Sequence, residues 1–292
     1  MLLASAIAAL TASVFPTGPV TMRFDPPSPR MGDVVLVYLE SGDPTWKKGV
    51  VHIFGYEFAI FRVTGEELRA VVAVPIDTPP GEHDIEVKIA NKSIRGALPV
   101  SDREFDSSEL NVSKTYTEKK SKALIAQLKA EQRAIDALWH AEPGPPRFTG
   151  TMTRPMAGQF TGVFGTKRVF NGKTNSIHYG LDMDAKIGDP IKAVQGGRIV
   201  MSTLRWASGN TVIIDHGGGL FTAYFHMSKL NRKSGELVQA GDILGLAGKT
   251  GRVTGPHLHL AVMVRTKYAG GRRGGQTRSL YADPAPFLGL VF

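Results

Sequence analysis

Apolar and polar positions alternate through most of this chain, at the two-residue period of strands with one buried face. In the first third, Val34–Tyr38, Lys48–Phe54, Leu68–Val74 and His83–Lys88 read as strands. Asp25-Pro26-Pro27, Ser41-Gly42-Asp43-Pro44 and Thr78-Pro79-Pro80-Gly81 punctuate them. Short strands at such spacing predict a small β-sandwich, immunoglobulin-like in outline. The period then changes. Thr115-Tyr116-Thr117-Glu118 fits a capping box, and Leu124, Ile125, Leu128, Ile135, Leu138 and Trp139 recur at helical spacing. One helix over about residues 116–139 is predicted, its apolar stripe packed on a domain. Glu142-Pro143-Gly144-Pro145-Pro146 ends it and marks a linker. The chain is therefore read as mainly β. Residues 18–110 form an accessory β-sandwich, 111–146 a helix and Pro-rich linker, and 147–292 a second, larger domain.

In that second domain the alternation also sorts side chains by chemistry. Read as one strand, Ile177–Met183 puts His178 and Asp182 on one face. In His257–Val264, residues Leu258, Leu260, Val262 and Val264 make the core face, so His257 and His259 project from the other. Phe221–Met227 repeats the pattern, with Thr222, Tyr224 and His226 on its polar face. Three strands thus offer His178, Asp182, His226, His257 and His259 to one surface. Two neutral imidazoles and a carboxylate are the donors zinc takes when a fourth position stays open for water. The remaining histidines read differently. His52, His83 and His140 are expected to be solvated or hydrogen-bonded. His216 precedes Gly217-Gly218-Gly219, where a strand meets a turn, and is expected to stabilise that turn.

Several stretches together resemble the lysostaphin/LytM-type zinc endopeptidases, the M23 peptidase family, over about residues 155–288. They are Arg168–Gly172, His178–Asp182, Gly209–Gly217, Tyr224–His226, Gly255–His259, and the closing Asp283-Pro284 with Phe287-Leu288. The resemblance implies a mainly antiparallel β catalytic domain with its site on one sheet face. It implies His178, Asp182 and His259 as ligands of one Zn2+ per chain, and His226 and His257 as an unliganded catalytic pair. It implies hydrolysis of peptide cross-links of bacterial peptidoglycan by a zinc-bound water, with stem peptides as partners. The chain has no His-Glu-x-x-His, so the general base falls to the histidine pair. A tyrosine that assists some family members upstream of the first ligand has no counterpart around Gly172. Asn171 lies too near His178 in sequence to be expected in the open zinc position, where latent members place an asparagine. A different class of reading is a catalytically inactive scaffold that binds the wall and activates another hydrolase. Such a protein is expected to lack ligands, and this chain keeps all five positions.

Composition adds bounds. With no cysteine among 292 residues, disulfides and a thiolate zinc site are excluded. Residues 1–110 carry 10 Lys+Arg against 15 Asp+Glu, while residues 111–292 carry 25 against 11. The basic half points to an anionic partner. Nucleic acid is not expected, since no recognition module or basic run with interleaved aromatics is present. Lys267–Arg278 reads as a Gly-rich basic loop, a candidate wall for attracting carboxylates. With the two-domain layout, it points toward direct cross-links of Gram-negative walls. Met1–Leu10 resembles the apolar core of a signal peptide without a basic start, placing a candidate leader at residues 1–17. Export to the periplasm or cell envelope is expected. No stretch is apolar for the roughly 20 residues of a membrane helix. The opposite charges of the two halves also allow the first domain to cover the catalytic groove.

Overall fold

The computed structural model describes residues 11–15, 18–110, 121–148, 152–170 and 173–289. Met1–Leu10, the Thr115–Glu118 capping box and Asn171 lie outside them.

The four strands read in the first domain are present as Val34–Glu40, Lys48–Ile53, Glu67–Ala73 and Gly81–Ile89. Gly18–Asp25, Tyr56–Arg62 and Lys92–Val100 join them. All pair antiparallel in one run that folds back on itself. Met22, Leu36, Val51, Phe58, Val87 and Leu98, each from a different strand, belong to one buried core. Thr11–Phe15 adds a strand beside Gly18–Asp25.

The second domain is built around His257–Tyr268. One edge of this strand pairs with Leu220–Met227, which leads on to Gly209–Asp215 and Gly197–Arg205. The other edge takes two strands end to end, Leu181–Asp184 beside its first half and Thr277–Ala282 beside its second. Leu258, Leu260, Val262 and Val264 are buried on the core face, as their alternation predicts.

The domains are joined by continuous hydrogen bonding. Tyr56 and Glu57 pair with Tyr268 and Lys267, so one sheet runs through both. Arg103 bridges to Asp283 at 2.5 Å and to Asp33 at 3.4 Å. Ser107–Leu110 runs parallel beside Lys167–Phe170, which pairs antiparallel with Lys173–Ile177 on its other edge.

The helix spans Lys122–His140, later than the predicted start, because the Ser121 hydroxyl caps it by accepting from the Leu124 amide at 3.1 Å. Only Trp139 of its stripe is fully buried. Trp139, with Ile135 and Leu138, packs on Phe221, Ala223, Ala261 and Met263. The Pro-rich segment after it is pinned rather than loose. Gly218 donates to Gly144 O and Arg147 to His216 O, while Lys267 pairs with Glu142 at 2.9 Å.

Candidate metal centre

Strand register brings the candidate ligands together. Asp182 sits directly across from His259, which on its other side faces Phe225. Opposed residues on one sheet face hold their Cβ atoms about 4.5–5.5 Å apart, within reach of a shared ion. His259 Nδ1 lies 2.7 Å from Asp182 Oδ1. His178 Nε2 lies 3.1 Å from the same oxygen and 3.0 Å from His259 Nδ1. Gly180 makes this approach possible, since a Cβ there would sit 2.4 Å from His259 Nε2. Phe225 stacks on the His259 ring at 5.2 Å and fixes its plane.

His178 and Asp182 do not share a strand, contrary to the sequence reading. One strand ends at Ile177 and the next begins at Leu181, with His178, Tyr179 and Gly180 forming an irregular connection between them. The His178 backbone is held there by reciprocal hydrogen bonds with Thr166 and Gly165.

The alternation of Phe221–Met227 is also reversed from the reading. Thr222 and Tyr224 are buried in the core, and Phe221, Ala223 and Phe225 share the face of His259. His226 still reaches the site because the period breaks at it. Its φ is 64°, and the pairing with the neighbouring strand shifts register between Asn210 and Val212. A left-handed backbone at a non-glycine residue is uncommon and is kept where the surroundings impose it. Here the His226 amide donates to Ser208 O at 2.8 Å. The His226 and His257 rings lie 4.9 Å apart.

Backbone carbonyls fix the tautomers. His178 Nδ1 donates to Val163 O at 2.9 Å, His226 Nδ1 to Thr250 O at 2.9 Å, and His257 Nδ1 to Gly255 O at 3.0 Å. In the neutral rings each Nε2 is therefore left as an acceptor. Burial raises the Asp182 carboxyl, but the His178 and His259 rings set against its Oδ1 outweigh burial and hold the group well below the usual carboxylate range. Burial lowers His226 to about 4 against the pull of the Thr250 carbonyl, and it lowers His259 against the pull of Asp182. His259 is thereby favoured as a neutral imidazole beside an ionised Asp182, the protonation state that metal ligation requires.

The donor set fits zinc. His178, Asp182 and His259 are the group whose ligand atoms converge among the described residues. A tetrahedral ion with bonds of about 2.0–2.1 Å separates its ligand atoms by roughly 3.3 Å, close to the spacings found. One feature of the centre carried no signal in the sequence. Asp182 turns Oδ1 to the histidines and Oδ2 to Arg168, whose Nη2 is 3.2 Å away. Arg168 thus holds the carboxylate with a single oxygen facing the cluster. His216 lies elsewhere, fully buried, bonded to Gly196 O and Thr222 Oγ1 at 2.7 Å each.

Residues 176–270 match the family model Peptidase family M23. The chain is 44% identical over 100 residues to peptidoglycan DD-endopeptidase ShyA of Vibrio cholerae, a match covering 34% of this chain and 22% of that protein. It is 39% identical over 119 residues to lysostaphin of Staphylococcus staphylolyticus, covering 40% of this chain and 23% of the relative. The chain thus spans less than a quarter of either relative's length. A crystal structure from Pseudomonas aeruginosa, provisionally assigned to peptidase M23, aligns over 91% of this chain and 96% of that one. Its TM-score is 0.63 at 26% identity.

Proposed function

We propose, from the premise that residues 176–270 are a Peptidase family M23 domain, that this chain is a zinc-dependent endopeptidase hydrolysing peptide cross-links of bacterial peptidoglycan, exported to the periplasm or cell envelope. The observation that carries the reading is the pairing of two sets of groups. His178 Nε2, Asp182 Oδ1 and His259 Nδ1 converge within 4.8 Å of one another. Beside them His226 and His257 have their Nδ1 atoms tied to carbonyls, and His257 Nε2 is turned to the cluster, 3.8 Å from Asp182 Oδ1.

When bound, zinc supplies Lewis acidity and lowers the pKa of water from about 15.7 toward about 7. Every other role falls to side chains. Asp182 and the two ligand histidines orient the cluster. Arg168 neutralises the outward carboxylate oxygen and keeps Asp182 from rotating. One of the pair, His226 or His257, receives the proton of the attacking water at Nε2. Once protonated, the same atom donates to the oxyanion of the scissile carbonyl and then returns the proton to the leaving amine. The scaffold alternative expects a missing ligand or base, and none of the five positions is degraded.

The deciding experiment incubates full-length protein with sacculi of directly cross-linked and of pentaglycine-bridged walls, with and without chelator. Metal-dependent release of uncross-linked muropeptides is expected from the direct cross-links, with about one zinc per chain. Release from neither wall by zinc-loaded protein would overturn the assignment.

A further inference from the structure

The face of the sheet that carries the histidines continues past the metal centre into a second groove of ≈ 920 Å³. It lies between the Lys122–His140 helix and the Thr277–Ala282 strand. Tyr281, Ser279 and Thr277 are opposed to Met263, Arg265 and Lys267, alternate positions on the same side as His257 and His259. They form a track of about 13 Å at the rise of an extended strand. The Tyr281 ring lies 5.2 Å from Tyr179, the residue after ligand His178, so the track starts at the edge of the metal centre. The far end is cationic. Arg273 stacks over Tyr268 at 4.3 Å, and Arg278 over the same ring at 5.2 Å with its guanidinium donating to the Tyr268 hydroxyl. Asp136 is the acidic side chain lining the groove, and it accepts from Gln132 at 2.8 Å. Two preorganised guanidiniums therefore face one carboxylate that is already engaged.

We propose that this groove binds a carboxylate-bearing stretch of the peptide–glycan polymer at a distance from the bond being cut. The proposal rests on the peptidoglycan reading above. A peptide carboxylate matches the planar fork of an arginine held by stacking. Sugar hydroxyls match Gln132 and Ser279, and Tyr281 offers a flat apolar face beside them. The basic Lys267–Arg278 loop thereby forms a wall of this second groove. Occupancy here tethers the polymer while one of its cross-links lies over the histidines, raising the local concentration of cross-links at the centre.

The test uses full-length protein kept metal-free by chelator, so that nothing is cut, and co-sedimented with intact sacculi at low salt. Arg273→Glu reverses an exposed charge, and Ser279→Trp fills the groove without touching the metal centre. Half-saturation is expected to rise about tenfold in each, because a cleft charge acts on capture of the polymer. Zinc-loaded variants should cut a short soluble cross-linked dimer within about twofold of the parent, since that substrate does not span the groove. Unchanged sedimentation of both variants overturns the proposal, as does failure of the parent to sediment. Equally tight capture of RNA, lost in the same variants, would overturn the assignment to this polymer. Sedimentation without any cleavage by zinc-loaded parent would instead sink the peptidase reading and leave the groove in place.

Discussion

His216 and the histidines of the candidate metal centre lie in the same domain, all wholly or largely buried, yet they differ in what their nitrogens do. His216 donates from Nδ1 to Gly196 O and accepts at Nε2 from Thr222, whose hydroxyl lies 3.1 Å from Tyr224 OH. Val194 N in turn donates to Tyr224 OH, closing a fully bonded network in the core. At the metal centre, His178, His226 and His257 also give Nδ1 to a carbonyl, but Nε2 is left facing the cluster. Burial and a depressed pKa are common to both places: His216 and His226 are each lowered to about 4. Neither property marks function here. What separates them is where Nε2 points: to a core hydroxyl in His216, and to the Asp182 carboxylate in His178 and His257.

The largest expected effect comes from removing a donor. Asp182→Ala or His259→Ala should leave folded protein that retains no zinc after dialysis and has no measurable turnover. Retention of about one zinc per chain by either variant would break the ligand assignment. Next come His226→Ala and His257→Ala, which should keep zinc and lose about 10²–10⁴-fold in kcat. Loss of metal from His257→Ala with retention in His259→Ala would reverse the roles along the His-Leu-His triplet. Arg168→Ala should weaken zinc affinity by about 10–100-fold in competition with a chromophoric chelator, as removal of a ligand-orienting partner does, with partial recovery in Arg168→Lys.

The smallest effect on activity is expected at His216, where the consequence is stability. Its folded pKa of about 4 lies below the ordinary 6.5, so between these values the unfolded chain binds the extra proton. This contribution to stability is fully present above pH 6.5, declines as pH falls through that window, and is lost below about 4. His216→Gln should keep zinc and most turnover, unfold at lower denaturant, and show a shallower acid dependence than the parent in chemical denaturation between pH 4 and 6.5. An unchanged slope would remove His216 as its source.

What was legible in the chain follows the same division. The His257–Val264 alternation correctly separated the core residues from the two histidines, because a regular strand has only two faces. His178 and Asp182 were paired correctly for the wrong reason. Their meeting comes from an irregular connection at Gly180 and from the register of Asp182 against His259. The face of Leu220–Met227 was misread because Thr222 and Tyr224 look polar while being satisfied inside the core. His226 then looked like the next member of their series. Its positive φ depends on a register shift with another strand, and no local residue pattern encodes that. The Arg168 contact and the helix lying on the histidine-bearing face are likewise tertiary. Periodicity shows that a helix has an apolar stripe, not which surface receives it.

The shared sheet sets an order of assembly. The Thr266 hydroxyl that donates to Glu57 O spans 209 residues of chain. At roughly 5–20 residues per second, about 10–40 s of synthesis separate Glu57 from its partner. During that interval the strands of the first domain can pair with one another, but Tyr56 and Glu57 present bare backbone groups along one side, a template for wrong pairing. Closure of so distant a contact also makes the seam a late event in refolding from denaturant. The last long strand of the chain, which carries two of the site histidines, is also the strand that seals the edge of the first domain.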